Sequence, residues 1–331
     1  MSESAEERRR NDETWLAEVR RTQAGWQTPR LVVDDAIGKA TDALPASAQR
    51  ILLGQSNEVY DVATADGQAV IVRIAHEGLP AFAGERWAME RCRERGLPVP
   101  AVLLVDHVGT DAGPRSICVL RKVDGVSLGH LLRRPDRRPD RVARLLTRAG
   151  ATLAGLHTIP AQGGGSLDGN GRGPRESWAA YVLETADDVA RQTMEVAGRI
   201  PVIETALAIL RGNVELLDRQ PPCLLHGDYE PGHIFVGHDD HIAGIIDFGN
   251  CEAGDPAYDL AQWQVIHDSY APVRHVLDGH RAASTAVNDF DERLWLNRLF
   301  FRLRDLGYTA DGSDAAGTQA RLTSLEEDLR R

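Results

Sequence analysis

Short stretches in which apolar and polar residues alternate fill the first third of the chain. Residues 58–63 (EVYDVA) and 69–74 (AVIVRI) flank Asp66-Gly67, a dipeptide typical of a two-residue β-hairpin loop. Further strands are predicted at 51–53, 102–105 and 117–120. Residues 84–95 instead have the apolar spacing of a helix. The pattern therefore predicts a small antiparallel sheet with one inserted helix.

From about residue 124 onward the apolar residues recur at helical spacing. The segments 145–157, 178–194 and 203–217 each predict a helix. One short strand pair interrupts them, at 233–236 and 242–246. A sheet-forming first third followed by helices indicates the α+β class.

The length of 331 residues is enough for about two domains with a sizeable core. The pattern divides the chain into three parts. Residues 1–30 are expected to form a polar helical arm, residues 31–123 a sheet domain, and residues 124–331 a helical domain.

Composition and charge narrow the classes of partner. The net charge of −11 argues against nucleic acid or an anionic membrane as a partner. Apolar runs fall short of the roughly 18 residues of a membrane span, and the charged start MSESAEERRR is unlike a secretory signal. The four cysteines are far apart and form no CxxC pair, which is typical of reduced thiols. We therefore expect a cytoplasmic protein.

The stretch CLLHGDYEPGHIFV, at 223–236, places His226, Asp228 and His233 between two apolar strands. A later apolar strand ends in Asp247, which opens the sequence DFG. In protein kinases an Asp is followed five residues later by a metal-binding Asn, and the Asp of a DFG turn holds Mg²⁺. The spacing here is the same, with a histidine in the place of the asparagine.

The chemistry of phosphoryl transfer explains these residue types. The reaction needs an acceptor oxygen held in line and a cation that neutralises the phosphates. Asp228 can accept a hydrogen bond from a substrate hydroxyl, and Asp247 with His233 can bind the cation. An imidazole nitrogen is a softer ligand than those that Mg²⁺ usually takes.

A structural zinc ion is the alternative interpretation of the local histidines. They are His226, His233, His238 and His241. Because no cysteine stands at ligand spacing from them, the phosphoryl-transfer interpretation is preferred.

The segments HGDYEPGHIFV and GIIDFGNCEAGDPAYDLA together resemble the signature of the aminoglycoside phosphotransferase and choline kinase-like family. That signature reads HGDxxxxN, then a strand ending in I-D-[FW], then GDPxxDLA. The resemblance covers about residues 31–310 and implies a two-lobed protein-kinase-like fold. Its N-lobe is a small antiparallel sheet and its larger C-lobe is mostly helical. The variant PGH is similar to that of macrolide 2′-phosphotransferases.

The resemblance also implies roles in the C-lobe. Asp228 is expected to be the catalytic base that orients the acceptor hydroxyl. Asp247 is expected to bind Mg²⁺, with His233 at the position of the usual asparagine. Supporting roles fall to His226 beside the base and to Asp255 and Asp259 behind the loop.

In the N-lobe the resemblance implies a nucleotide site. Arg73 stands where a strand lysine usually grips the phosphates, and its helix partner is expected to be Glu85, with Glu90 as the alternative. The turn before the second strand and the connector to the C-lobe supply the remaining candidates. They are Gly54, Ser56 and Asn57 in the turn, and Lys122 and Val123 in the connector.

The implied activity is transfer of the γ-phosphate of ATP or GTP, with Mg²⁺, to a hydroxyl of a small molecule. An antibiotic of the macrolide or aminoglycoside type is the preferred acceptor, and inactivation would then confer resistance. A metabolite kinase acting on a choline-, homoserine- or sugar-like acceptor is one alternative. A catalytically impaired pseudokinase is another, because Arg73 and His233 both depart from the pattern.

Acceptor-binding residues are expected among the aromatic and acidic side chains that follow Asp255. None is preferred over the others. They are Tyr258, Trp263, Asp268, Tyr270, Asp289, Asp291, Glu292, Trp295, Phe300 and Phe301.

Overall fold

A computed structural model describes residues 21, 23–52, 57–76, 82–110, 113–197, 200–285, 288–310, 312 and 314–330. The chain forms two compact units. The first comprises the described residues up to Glu90 together with Pro100–Val123, and the second comprises Arg91–Val99 and the described residues from Asp124 onward. The domain limits expected at residues 30 and 123 stay a prediction. Apart from residues 21 and 23–30, the expected arm lies outside the described residues.

The described residues of the first unit form one antiparallel sheet and helical segments. In chain order the elements are α1 (Arg30–Thr41), β1 (Pro45–Ile51), β2 (Asn57–Thr64), β3 (Ala69–Ala75), α2 (Ala83–Glu94), β4 (Val102–Thr110) and β5 (Gly113–Arg121). The strand order is β1-β2-β3-β5-β4. The boundary between the two units falls within α2.

Alternating side chains of the sheet explain how α1 packs. Val62, Val70 and Val72 are fully buried on one face, where they meet Val33 and Ile37 of the helix. Each such side chain removed from water contributes about 1.5–3 kcal/mol to folding. The turn between β2 and β3 contains Gly67 at φ +86°, a conformation that glycine adopts without strain.

The second unit is mostly helical. In chain order it contains β6 (Val126–Ser127), α3 (Leu128–Arg133), α4 (Pro139–Leu156), β7 (Gly165–Ser166), α5 (Trp178–Ala197), α6 (Pro201–Gly212), α7 (Val214–Leu217), β8 (Cys223–Leu225), β9 (Ile234–Val236), β10 (Ile242–Ile245), β11 (Glu252–Gly254), α8 (Ala257–His267), α9 (Val273–Ala283), α10 (Phe290–Leu306) and α11 (Ala315–Leu329). Short 3₁₀ turns lie at Pro231–His233, Phe248–Asn250 and Gly307–Thr309.

Two small three-stranded sheets lie among these helices, with strand orders β10-β9-β6 and β7-β11-β8. The main core of the unit is formed by α5, α6 and α10, with Trp178, Leu210 and Phe300 at its centre. Among the described residues no helix is long and apolar enough to cross a membrane.

Most predicted elements are present, but their ends differ. The helix expected at 145–157 begins at Pro139, because a proline at the first helical position costs no hydrogen bond. The strand expected at 51–53 instead runs from Pro45 to Ile51, because β2 pairs with this whole segment.

Helices α4 and α9 approach each other closely at two glycines. A Cβ atom on Gly150 would lie 1.9 Å from the carbonyl oxygen of Val276, and one on Gly279 would lie 1.9 Å from that of Thr147. Both obstacles are backbone atoms, which cannot move aside without shifting a helix. The two helices are therefore in backbone contact at these positions.

We expect Gly150→Ala to lower the free energy of unfolding by about 2–3 kcal/mol, because the added methyl group separates α4 from α9. Gly212→Ala is the matched control, since no atom lies within 4 Å of its added Cβ. The control is expected to be neutral or to stabilise by up to about 1 kcal/mol. Urea unfolding of both variants measures the difference, and equal stabilities would contradict the close contact.

Candidate active site

The loop that follows β8 depends on one glycine. Gly227 has φ +76°, and a Cβ atom there would lie 1.8 Å from the carbonyl oxygen of Asn250. Only glycine combines this conformation with so close an approach of two backbone segments. The buried strand Cys223–Leu225 thus turns sharply and leaves the neighbouring Asp228 side chain about one third exposed.

Asp247 lies at the end of the β9–β10 hairpin in a left-handed backbone conformation, with φ 66° and ψ 65°. This region is uncommon for residues other than glycine, although aspartate tolerates it better than most. Such conformations cluster at functional sites, where the surrounding structure holds them. The Asp247 carboxylate is 45% exposed and therefore accessible to a ligand.

His233 brings the carboxylates of this region together. Its Nδ1 atom lies 3.8 Å from Oδ2 of Asp228, and its Nε2 atom lies 3.7 Å from Oδ2 of Asp247. Oε1 of Glu230 is 3.5 Å from the same Nε2 atom. The other oxygen of Glu230 lies 3.7 Å from Nε2 of the buried His267. Three acidic side chains therefore surround one imidazole ring.

The backbone determines which nitrogen of His233 carries a proton. Nδ1 lies 3.0 Å from the carbonyl oxygen of Asp228, which can only accept, so Nδ1–H is the donor. Nε2 then faces the carboxylates of Asp247 and Glu230. A lone pair next to two carboxylates is repelled unless a proton or a metal cation lies between them. The Nε2 position of His233 therefore suits a shared cation.

A divalent cation fits this set of ligands. The described residues contain no group of three or more His, Cys, Asp or Glu side chains that could hold a metal ion by themselves. Mg²⁺ does not need one, because it keeps several waters and is usually held by one or two carboxylates and by substrate phosphates. Asp247 and His233 are the side chains that could hold it.

Burial raises the pKa of Asp228 above its usual range, and the neighbouring Glu230 and Asp247 carboxylates add to the shift. His233 opposes it, because a positive ring would favour the charged carboxylate. A carboxylate with a raised pKa is a stronger proton acceptor than an ordinary one. Asp228 is therefore suited to polarise a hydroxyl group.

His226 uses both ring nitrogens within the protein. Nε2–H donates to the carbonyl oxygen of Ile246 at 3.0 Å, and Nδ1 accepts from the backbone N–H of Asp228 at 3.3 Å. Burial lowers the pKa of His226 to about 4, so the ring is neutral at pH 7. It links the loop to the end of β10 and has no nitrogen left for a metal.

Asp259, at the start of α8, holds the loop from behind. Its Oδ2 accepts the backbone N–H of His226 and its Oδ1 that of Gly227, each at 2.9 Å. Oδ2 also lies 3.0 Å from Nε2 of His157, whose Nδ1 lies 3.0 Å from Nε2 of His280. Although burial by itself would raise the pKa of Asp259, these partners hold it below its usual range.

Asp255 has a different partner. It forms a salt bridge with Arg293 of α10, and both side chains are only 1% exposed. Oδ1 of Asp255 also accepts the backbone N–H of Ala257 at 2.9 Å, which ties the salt bridge to the first turn of α8. The contacts of Asp255 are thus with the helices, while those of Asp259 are with the loop.

In the first unit Arg73 and Glu85 meet. Arg73, on β3, forms a salt bridge with Glu85 of α2, and both side chains are at most 10% exposed. The alternative, Glu90, pairs instead with Arg86 at 2.8 Å on the exposed side of the helix. The structure thus distinguishes two glutamates that the sequence left open.

The contacts and positions of the other residues predicted for the nucleotide site are as follows. Nζ of Lys122 lies 2.6 Å from Oδ2 of Asp61, and its backbone N–H donates to Ala69 at 3.0 Å. Val123 follows it directly, and Asn57 is the first residue of β2. Gly54 and Ser56 lie outside the described residues.

Comparison with known families identifies the chain. The family model described as the phosphotransferase enzyme family, APH, matches residues 47–295. The chain belongs to this family. It is therefore a phosphotransferase of the small-molecule kinase type, as the sequence predicted. A comparison with curated proteins gives no match.

Solved structures with the same fold include family enzymes. A thermostable mutant of the aminoglycoside phosphotransferase APH(4)-Ia, in complex with AMP-PNP and hygromycin B, is 17% identical with a TM-score of 0.70, over 90% of this chain and 97% of that one. A protein assigned as a fructosamine-3-kinase from Thermobifida fusca is 20% identical, with a TM-score of 0.61. The match covers 90% of this chain and 99% of that one. The GDP and kanamycin complex of APH(2")-IIIa is 17% identical, with a TM-score of 0.60. The match covers 91% of this chain and 99% of that one.

These likenesses confirm the predicted α+β, protein-kinase-like fold, with an antiparallel-sheet N-lobe and a mostly helical C-lobe. The closer resemblance of the PGH segment to macrolide 2′-phosphotransferases stays a prediction, as do the roles assigned to individual residues. What the structure adds is where the predicted family residues lie. Asp228, His233 and Asp247 are gathered in one cluster, and Arg73 with Glu85 forms another.

Sequence reasoning did not single out every residue of the site. Glu230 lies within the quoted motif, and its position between Asp228 and His233 could have indicated it. His157 and His280 come from α4 and α9 and have no motif signal. Among the acceptor candidates, several aromatic side chains belong to the core. These are Tyr258, Trp263, Phe300 and Phe301.

Burial lowers the pKa of His280 to about 3, and the neighbouring His157 adds to the shift. In the unfolded chain the pKa of the same histidine is about 6.5. On acidification His280 therefore binds a proton in the unfolded chain before it does so in the folded protein, and this destabilises the fold. When the pH is lowered from 7 to 5, we expect the free energy of unfolding of the wild-type protein to fall by about 2 kcal/mol more than that of His280→Gln. Urea unfolding at both pH values tests this, and parallel losses would contradict it.

Proposed function

We propose that this family member transfers the γ-phosphate of ATP or GTP to a hydroxyl group of a small molecule, with Mg²⁺ as cofactor. The observation that carries the proposal is the gathering of Asp228 and Asp247 around His233 at 3.7–3.8 Å. Their spacing in the chain is that of kinase chemistry, and their proximity supports a shared function.

Asp228 is proposed as the catalytic base. Its side chain is partly exposed, and its raised pKa suits it to accept a hydrogen bond from an acceptor hydroxyl and orient the oxygen for attack. Its backbone is fixed on both sides, because its N–H is bound by His226 and its carbonyl oxygen by His233. Such fixation is what positioning catalysis requires.

Asp247 and His233 are proposed to hold the cation. When bound, Mg²⁺ would neutralise charge on the β- and γ-phosphates. The protein contributes the exposed carboxylate of Asp247 and the outward-facing Nε2 of His233. Glu230 adds a second negative charge beside that nitrogen.

Arg73 and Glu85 are proposed to serve the nucleotide. A guanidinium group has several N–H donors, so Arg73 can bind Glu85 and a phosphate oxygen at the same time. Structural neighbours bound to AMP-PNP, ADP and GDP support a nucleotide as the phosphate donor. Asn57, Lys122 and Val123 are proposed to complete this site, together with Gly54 and Ser56, which lie outside the described residues.

We propose an antibiotic as the acceptor, of the macrolide or aminoglycoside type. Neighbours in complex with hygromycin B and kanamycin support this class. The neighbour assigned as a fructosamine-3-kinase favours the second candidate, a kinase of a sugar-like metabolite. A panel of antibiotics and metabolites, incubated with enzyme, Mg²⁺ and either nucleotide and followed by mass spectrometry, separates the two. Phosphorylation of a metabolite with no antibiotic modified would overturn the antibiotic proposal.

A catalytically impaired pseudokinase is the alternative suggested by Arg73 and His233. Arg73 nevertheless forms the salt bridge with Glu85, and His233 directs a nitrogen toward Asp247. Both contacts favour a working site. A thermal shift with nucleotide but no turnover of any compound in the panel would favour the pseudokinase.

Asp228→Asn tests the base. The substitution keeps the shape of the side chain but removes the negative charge, so we expect turnover to fall by at least about 10²–10⁴-fold. Asp239→Asn is the matched control, because Asp239 is exposed in the turn after β9. Steady-state kinetics with an acceptor identified in the panel measures both. Near-wild-type turnover in Asp228→Asn would rule out the assignment.

His233→Asn tests the cation site. An amide oxygen is a harder ligand than an imidazole nitrogen, so we expect the ratio of rates with Mg²⁺ and Mn²⁺ to rise about tenfold. The fold should be preserved, which circular dichroism checks. His238→Asn is the control, because His238 is exposed in the turn after β9. An unchanged ratio would mean that His233 lies beside the metal without binding it.

A further inference from the structure

A chain of three buried side chains links helix α9 to the loop that carries Asp228. It runs from His280 through His157 to Asp259, and it ends on the backbone N–H groups of His226 and Gly227. We propose that His280 is a positioning residue for phosphoryl transfer, acting through this chain on the loop. The inference rests on the proposed role of Asp228 as catalytic base.

The hydrogen bonds of the chain all point the same way. Asp259 accepts only, so Nε2 of His157 carries a proton and donates to it. Nδ1 of His157 is then the acceptor for Nε2–H of His280. Nδ1 of His280 is buried and has no hydrogen-bond partner among the described residues. A buried lone pair is tolerated better than a buried N–H without an acceptor, which places the His280 proton on Nε2.

Each of the three side chains belongs to a different part of the second unit. Asp259 lies in α8, His157 directly follows α4, and His280 lies in α9. The glycine contacts described above hold α4 against α9, and Gly279 immediately precedes His280. The donor of His280 is therefore delivered by the helix packing and not by a mobile segment.

The orientation of the Asp259 carboxylate is tightly constrained. Its two oxygens must face two adjacent backbone N–H groups at once, which leaves little freedom of rotation. His157 holds one oxygen in that plane only while its Nε2 is the protonated nitrogen. By donating to Nδ1 of His157, His280 holds the imidazole ring in the orientation in which its Nε2–H points at Asp259. Loss of the His280 donor would leave the buried Nδ1 of His157 without that partner, so the ring would be less firmly held toward Asp259, and the loop before Asp228 would lose its fixed position.

The test uses a matched pair at one position. His280→Gln keeps an N–H donor near the position of Nε2, whereas His280→Met has similar length and volume but no donor. With Mg²⁺-dependent hydrolysis of ATP or GTP as the probe, in which water replaces the acceptor, we expect His280→Met to lower kcat roughly 10- to 100-fold. KM for the nucleotide should change less than about twofold, and His280→Gln should stay within about threefold of wild type. Equal kcat values in the two variants would overturn the proposal.

A second measurement does not depend on activity. Nitrogen-15 NMR of the imidazole rings, with the His157 signals identified by their loss in His157→Gln, should show a single Nε2–H tautomer in wild type and in His280→Gln. In His280→Met we expect the Nδ1 signal of His157 to shift because it loses its hydrogen-bond donor, and we expect faster amide exchange at His226 and Gly227. A doubly protonated His157 in wild type at pH 7, or unchanged amide exchange at His226 and Gly227 in His280→Met, would contradict the inference. If the spectra are as expected but the enzyme turns over no nucleotide, the result would instead count against the proposed function.

Discussion

The interaction on which the site depends is a buried carboxylate that accepts two neighbouring backbone amides. Asp259 binds the N–H groups of His226 and Gly227, the two residues immediately before Asp228. A charged group is costly to bury unless its lone pairs are satisfied. The two amides and His157 supply those partners, so the loop and the carboxylate stabilise each other. The fixed position of the proposed base follows from this arrangement.

Electrostatics around the loop separates two kinds of acidic group. Asp259 is buried among donors and stays charged, whereas Asp228 faces other carboxylates and has a raised pKa. Asp247 is held exposed by an uncommon backbone conformation. Asp259 thus stabilises the loop, whereas the side chains of Asp228 and Asp247 are partly exposed. Glu230 adds charge near His233, which favours a cation at the nitrogen that would otherwise be a weak ligand for Mg²⁺.

Two departures from the family pattern have local structural partners. Arg73 replaces a lysine and is paired with Glu85, so the ion pair between strand and helix is retained with a guanidinium group. His233 replaces an asparagine and uses one nitrogen on the backbone of Asp228 while directing the other outward. In each case the replacing side chain has more than one polar atom. Each replacing side chain therefore keeps an internal contact within its own unit.

Sequence reasoning identified the fold class and the main carboxylates because both depend on local pattern. Strand alternation, helical spacing and the five-residue interval from Asp228 to His233 can be read from the chain alone. The choice between Glu85 and Glu90 could not be read from the sequence. Five residues along a helix place two side chains about 140° apart around its axis, and only the packing shows which of them faces the sheet.

The sequence by itself determined the class of enzyme, the lobes and the residues proposed for catalysis. Only the tertiary structure decided what holds them in place. His157 lies 102 residues from Asp259 and 123 from His280, and helix packing brings the three together, with α4 and α9 in backbone contact through glycines. Contacts over such separations leave no periodic signal, because the packing of whole elements, and not the preference of neighbouring residues, brings the side chains together.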